Sequence, residues 1–271
     1  MNQTKVKYFV ESSELVTEFG VLASSIDISK VPMHANPEQV RDELITMNQY
    51  GYMKFEWDEF GKNFAQFAKE TEKLVLEIGP AYGWVTHKIL EMNKTIIAAD
   101  ISKEHLEVLV RNAPQDKLDK LFLYHASFPE EVDFPEESLG VILASRILHF
   151  LSGDKIEEGL DKIYKWLEPN GKFVCTNCSI YHYSVKDQWL STFKDREKQG
   201  VKWPGVITNQ KESSPTHAPH VQDYLNIFDV KTFEKLLPDH GFKIDKIKLY
   251  DYPSDIYSDG IGHIGFIATK I

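Results

Sequence analysis

At 271 residues, 42% hydrophobic and 27% charged, the chain has ordinary globular composition and room for one large α/β domain with additions. A net charge of −10, with no run of Lys and Arg, disfavours nucleic acid and anionic membrane surfaces as partners. Two cysteines, Cys175 and Cys178, argue against a secreted disulfide scaffold. No signal peptide or membrane span stands out, so a cytoplasmic protein is the expectation.

Residues 1–35 carry no readable period. Asn36-Pro37 then resembles an N-cap with Pro at the first helical position, and Val40, Leu44 and Met47 recur at helical spacing. A second helix is expected through Trp57, Phe60, Phe64, Phe67 and Ala68, with that stripe packed on the main domain. Residues 1–70 thus read as a mainly helical N-terminal extension or cap. From residue 71 a second unit begins.

There the pattern becomes an alternation. Strands are expected at Lys73–Ile78, Thr95–Ala99, Leu121–Tyr124, Leu139–Ala144 and Lys172–Cys178. Helices between them are marked by Val85, Ile89 and Leu90, and by Leu106, Leu109 and Val110 behind a Ser102 cap. A further helix carries Ile156, Leu160, Ile163 and Leu167 behind Asp154 and Glu157, which resemble a capping box, and Pro169-Asn170-Gly171 stops it. Strands alternating with helices imply a parallel sheet covered on both faces. Residues 181–227 break the rhythm; aromatic and rich in histidine, they read as an insertion over a substrate pocket. A helix over Val230–Leu237 precedes two strands, Phe242–Tyr250 and His263–Lys270, which pair antiparallel because nothing helical separates them.

Ligand-binding residues gather at the strand ends. Strand one closes on Glu77-Ile78, followed by Gly79-Pro80-Ala81-Tyr82-Gly83, where glycines permit a tight turn and close approach of a ligand. Strand two closes on Asp100, placed to accept hydrogen bonds from both hydroxyls of a ribose. Ser145, Arg146 and His149 follow strand four, and Tyr181, His182 and Tyr183 follow strand five, at the edge where open α/β sheets bind ligands. His149 and His182 are the candidate general bases, because an ordinary imidazole titrates near neutral pH. Arg146, Tyr181 and Tyr183 are candidate substrate contacts. Cys175 and Cys178, three apart in a strand, point to opposite faces, and His217 and His220 flank Pro219 with no evident helix. No metal site is expected.

From Leu74 to Lys270 these features together resemble a class I S-adenosylmethionine-dependent methyltransferase, nearest in pattern to the type-11 group. The resemblance rests on Leu76-Glu77-Ile78-Gly79-Pro80-Ala81-Tyr82-Gly83, on Ala98-Ala99-Asp100-Ile101-Ser102, on Phe134–Ile142 with Leu148-His149-Phe150-Leu151, and on Leu167–Val174, in that order. It implies a Rossmann-like, seven-stranded, mostly parallel sheet with an antiparallel last strand, and S-adenosylmethionine as donor with S-adenosylhomocysteine as product. Glu77 would orient the cofactor's amino group, and Gly79, Pro80, Ala81 and Gly83 would form its loop. Ile101 would pack on the adenine face, Ser127 would stand near the adenine amino group, and Ser145 would line the donor site. Ala81 stands where the family usually has its middle glycine, and Ser127 near a usual acid. The acceptor is expected to be a small molecule taking the methyl on O or N. A non-catalytic cofactor-binding module and an NAD-dependent oxidoreductase are the alternatives, the second opposed by the absence of a Gly-x-Gly-x-x-Gly turn.

Overall fold

The computed structural model describes residues 16–40, 43–213, 218–255 and 257–271. A hairpin of β1 (Val16–Thr17) and β2 (Gly20–Leu22) comes first. Three short antiparallel strands follow, β3 (Gln39–Val40), β4 (Glu43–Ile45) and β5 (Tyr52–Lys54), and then α1 (Glu59–Glu70). The alternating region is β6 (Leu74–Ile78), α2 (Trp84–Glu91), β7 (Ile96–Asp100), α3 (Lys103–Asn112), β8 (Leu121–His125), β9 (Leu139–Ser145), α4 (Gly153–Trp166) and β10 (Leu167–Cys178). The insertion holds α5 (Lys186–Lys198), β11 (Val206–Ile207), α6 (Gln210–Ser213) and β12 (Leu225–Asn226); α7 (Val230–Asp239), β13 (Phe242–Tyr250) and β14 (His263–Lys270) close the chain.

One sheet runs β1-β2-β8-β7-β6-β9-β10-β14-β13. The strands from β8 to β10 are mutually parallel, β14 lies antiparallel between β10 and β13, and β2 adds antiparallel to β8. Apolar layers cover both faces. Ile156, Leu160 and Ile163 of α4 pack with Phe233 and Leu237 of α7 on one side, and Phe60 and Phe64 of α1 pack with Ile89 of α2 and Leu106 of α3 on the other. The aromatic stripe of α1 is core, as its spacing indicates. Among the described residues no helix is long and apolar enough to cross a membrane.

Three expectations need correction. The sheet has nine strands rather than seven, because the two-residue and three-residue strands of the N-terminal hairpin extend its β8 edge. The helix expected from Asn36 is absent. Val40 and Leu44 lie instead on β3 and β4, so the cap before α1 is a small antiparallel sheet. Finally, Ser152 rather than Asp154 is the N-cap of α4, and no side chain caps that helix.

Gly83 is the N-cap of α2 and sits at φ 83. A Cβ there would fall 2.4 Å from Leu109 Cγ of α3, so the glycine is required by helix packing as well as by the backbone. Gly83→Ala should lower stability by about 1–3 kcal/mol, measured as a shift in the urea midpoint. Gly200→Ala, with φ +75 and nothing within 4 Å, should cost less and isolates the backbone share.

Candidate functional site

The chain winds from β6 through β7 to β8 on one side and from β9 to β10 on the other. A crevice opens at the carboxyl ends where the two directions part, between β6 and β9. Glu77 lies in the last turn of residues of β6, almost fully buried, and Thr86 Oγ1 donates to its Oε2 at 2.5 Å. Burial raises the Glu77 carboxyl from 4.5 to about 7, against the Thr86 hydrogen bonds and with help from the charge on Asp100.

Asp100 ends β7. Its Oδ2 accepts the Ala81 N–H at 3.1 Å and its Oδ1 accepts the Ser102 N–H at 2.8 Å, so one carboxylate ties the turn after β6 to the turn after β7. Ser102 caps α3 through its own hydroxyl, accepting the His105 N–H. Gly79 and Ala81 are both left-handed, at φ 70 and φ 47; the alanine in the middle of the loop keeps a turn of the kind glycine favours. Tyr82 Oη donates to the Ile45 carbonyl and accepts the Met47 N–H, fixing the same loop to the cap.

A cavity of about 290 Å³ occupies the crevice. Glu77, Gly79, Pro80, Ala81, Asp100, Ile101, Ser127 and Ser145 all line it. Gly83 does not; its open face is turned to Leu109. Ile101 is 48% exposed at this cavity, which sets it apart from a core residue. Ser127 donates its N–H to Glu131 Oε2, and Ser145 Oγ is 2.9 Å from Thr176 Oγ1. Sequence reasoning missed His105. It lines the same cavity, 2% exposed; neither ring nitrogen makes a hydrogen bond, but Nδ1 stands 3.4 Å from Asp100 Oδ1. Its only sequence signal is its place just after the Ser102 cap. Trp57, Trp84 and Tyr252 also reach this cavity and carry no motif.

A second cavity of about 560 Å³ lies beside the first, and Tyr50, Tyr52, Lys54, Arg146 and Phe150 line both. It holds His149, His182 and Tyr183. Tyr181 belongs elsewhere: it packs on the small core of the insertion formed by Ile180, Val185, Phe193, Ile207, Leu225 and Ile227. Arg146 is engaged with the cap, donating from Nη1 to Glu43 Oε1 at 3.0 Å and from Nη2 to the Tyr52 carbonyl. His149 is buried, donates its N–H to Asn177 Oδ1 and accepts the Cys178 N–H at Nδ1. The near-neutral titration expected of His149 is not retained. Burial, aided by the nearby charges of Arg146 and His263, lowers it to about 3. Burial likewise pushes the Cys178 thiol up to about 12, which keeps it protonated. His217 lies outside the described residues; His220 faces Tyr52 across 6.0 Å.

Residues 75–171 match the model of a methyltransferase domain family. The chain is 30% identical over 114 residues to malonyl-[acyl-carrier protein] O-methyltransferase of Halalkalibacterium halodurans, a match covering 38% of each protein, so it spans well under half of that relative. Its fold is similar to a SAM-dependent methyltransferase of Methanosarcina mazei, with a TM-score of 0.60 at 14% identity, covering 80% of this chain and 99% of that one. It is also similar to 1,6-didemethyltoxoflavin-N1-methyltransferase of Burkholderia thailandensis, solved with 1,6-didemethyltoxoflavin and S-adenosylhomocysteine, with a TM-score of 0.52 at 16% identity over 78% of each chain.

Because the Glu77 carboxyl is raised from 4.5 to about 7 in the fold, its contribution to stability is greatest below pH 4.5 and is lost as pH rises through 7. Glu77→Gln, which can still bond Thr86, should therefore stabilise the ligand-free protein by up to about 3 kcal/mol at about pH 8 and by little at about pH 4, read from urea melts at the two pH values.

Proposed function

We propose that this chain, which carries a methyltransferase domain over residues 75–171 within the class I methyltransferase fold, moves the methyl group of S-adenosylmethionine to an oxygen or nitrogen of a small-molecule acceptor. The observation that carries the reading is the convergence of Glu77 and Asp100, from the ends of two adjacent parallel strands, on one cavity floored by the left-handed Gly79–Ala81 turn. The residues present fit that donor. A buried carboxyl suits an ammonium, a second carboxylate suits vicinal hydroxyls, exposed Ile101 suits a flat ring, and His105, its Nδ1 3.4 Å from Asp100 and its Nε2 without a hydrogen bond, leaves hydrogen-bonding capacity inside the cavity.

In this reading Glu77 holds the amino group and Asp100 the ribose, Ile101 and Ser127 border the adenine, and Gly79, Pro80 and Ala81 let the backbone come close. Bound there, the donor supplies a methyl group activated by a sulfonium centre. The protein's part is then mainly to align the acceptor atom and exclude water, and positioning of this kind accounts for a large part of such accelerations. The acceptor would lie in the second cavity, under the cap and the insertion and against Arg146, Tyr183 and the two histidines. A small acceptor is supported by the toxoflavin-related neighbour, and oxygen as acceptor atom by the H. halodurans relative. His149, neutral down to about pH 3, would serve as a hydrogen-bond acceptor rather than as the group that titrates with rate. His182, beside Asp255 and His263, lines the same cavity on the acceptor side.

Titration calorimetry should give micromolar binding of S-adenosylmethionine and S-adenosylhomocysteine and none of NAD; the reverse pattern overturns the reading. Asp100→Ala should weaken both sulfur ligands by about tenfold to a thousandfold, since charge-assisted hydrogen bonds are lost. Affinity should climb with pH up to about 7 as Glu77 ionises, and Glu77→Gln should flatten that climb.

A further inference from the structure

Three side chains on the far wall of the second cavity are arranged as a ligand set. Asp255 turns one carboxylate oxygen outward and one inward: Oδ1 accepts the Tyr257 N–H at 3.1 Å, and Oδ2 stands 3.9 Å from His182 Nε2 and 3.9 Å from His263 Nδ1. These spacings are too long for hydrogen bonds. Yet one ligand atom from each of the three residues lies within 4.8 Å of the others, and the Asp255 and His263 side chains are only 6% and 4% exposed. Two imidazole nitrogens and one carboxylate oxygen thus stand close together, with neither imidazole bonded to that oxygen. Around a tetrahedral ion with bonds of about 2.1 Å, ligand atoms sit roughly 3.4 Å apart, so the two spacings to Asp255 need to close by about half an ångström and the third by no more than about 1.4 Å.

Each ring also has protein partners of its own. His182 Nδ1 meets the Ser184 hydroxyl at 2.8 Å and accepts the Ser184 N–H at 3.3 Å, so Nε2 is the nitrogen left toward Asp255. His263 Nδ1 stands 3.4 Å from Asp251 Oδ1, and Asp251 is fixed by the Gly260 and Gly262 N–H groups, both at 2.7 Å, so an ion on that nitrogen would take the place of the Asp251 contact. Two nitrogens and one carboxylate oxygen favour a first-row transition ion over Mg²⁺ or Ca²⁺, which take oxygen ligands. All three residues line the cavity, so a fourth position would open toward whatever occupies it.

We propose that His182, Asp255 and His263 form a three-ligand site for a divalent transition ion, Zn²⁺ foremost, facing the second cavity. The spacing of His217 and His220 gave no such indication, because this set is drawn from three stretches of chain spread over residues 182–263. The ion's role toward an acceptor rests on the methyl-transfer reading: its open position would hold an acceptor oxygen and ease loss of that oxygen's proton to solvent. The site itself does not depend on that reading.

The test uses the full chain, stripped with chelator and dialysed, then titrated calorimetrically with ZnCl₂ and, separately, with MgCl₂. One Zn²⁺ per chain and no Mg²⁺ binding are expected, and Co²⁺ should give the visible absorption of a low-coordinate site. His182→Ala, at the more open edge of the set, should weaken Zn²⁺ by at least about a hundredfold while S-adenosylhomocysteine affinity and the melting temperature hold. Asp255→Asn should weaken it as well and supplies a second variant should the first fail to fold. Zinc affinity equal to wild type in both variants, or no stoichiometric binding at all, overturns the site. Failure of S-adenosylhomocysteine to bind would overturn the donor assignment and leave the zinc result standing.

Discussion

Arg146 leaves the end of β9 at φ 59, its N–H held by the Thr176 carbonyl at 2.7 Å. From there its guanidinium reaches Glu43 on β4 and the Tyr52 carbonyl on β5, with its charge over the Tyr252 ring at 5.8 Å. Glu43 is shared with Lys54, whose Nζ lies 3.6 Å away. These polar links dock a cap whose strands are half-buried or exposed throughout. A fork of fixed donors suits this task better than a lysine would, since it bonds a carboxylate and a carbonyl together. Arg146 also lines both cavities, so the residue that fastens the cap is part of the wall between them. Arg146, Glu43 and Lys54 are themselves largely buried there, with side chains 15%, 23% and 7% exposed, so removing one partner would leave a buried charge uncompensated.

The parts of the fold legible in the sequence are those whose signal is local. Most buried parallel strands are largely apolar runs, and each strand expected from Lys73 to Cys178 lies on an observed one, shifted by a residue or so at its ends except the last, which begins at Leu167 rather than Lys172 and runs through Pro169-Asn170-Gly171. Glu77 and Asp100 are legible for the same reason. An acid closing a fully apolar run stands out, and a parallel sheet aligns such run ends along one edge. The final pair, Phe242–Tyr250 and His263–Lys270, has the expected bounds because each strand is long enough to show its own pattern.

What failed depends on distant partners. Val40, Leu44 and Met47 satisfy helical spacing, but Val40 and Met47 are each 39% exposed, so the apparent stripe faces no core. Strands of two and three residues cover at most one and a half periods of the strand pattern, too few to show an alternation, and only the partner that pairs with them defines them. α5 was invisible for the opposite reason: a helix of charged residues that buries only Phe193 carries almost no stripe. The side chains of Tyr181 and Arg146 have partners that their place in the chain does not reveal. Proximity to a strand end fixes where a backbone goes, and the side chain then answers to whatever packs nearby, which is the insertion core for one and Glu43 for the other.

Ala81 shows how such a departure is tolerated where the site is most constrained. A non-glycine residue in the left-handed region costs about 1–2 kcal/mol. Here that cost is set against a hydrogen bond from the Ala81 N–H to the Asp100 carboxylate, and bonds to charged groups contribute about 1.5–3 kcal/mol. The two terms are of similar size, so the loop keeps its turn without glycine as long as the Asp100 side chain is in place. The acid at the end of β7 consequently has two tasks, shaping the loop that approaches the ligand and presenting its own oxygens to the cavity. A ligand that drew hydrogen bonding from Asp100 would meet a loop already held in position, and that coupling exists because the middle residue is alanine rather than a glycine able to hold the turn unaided.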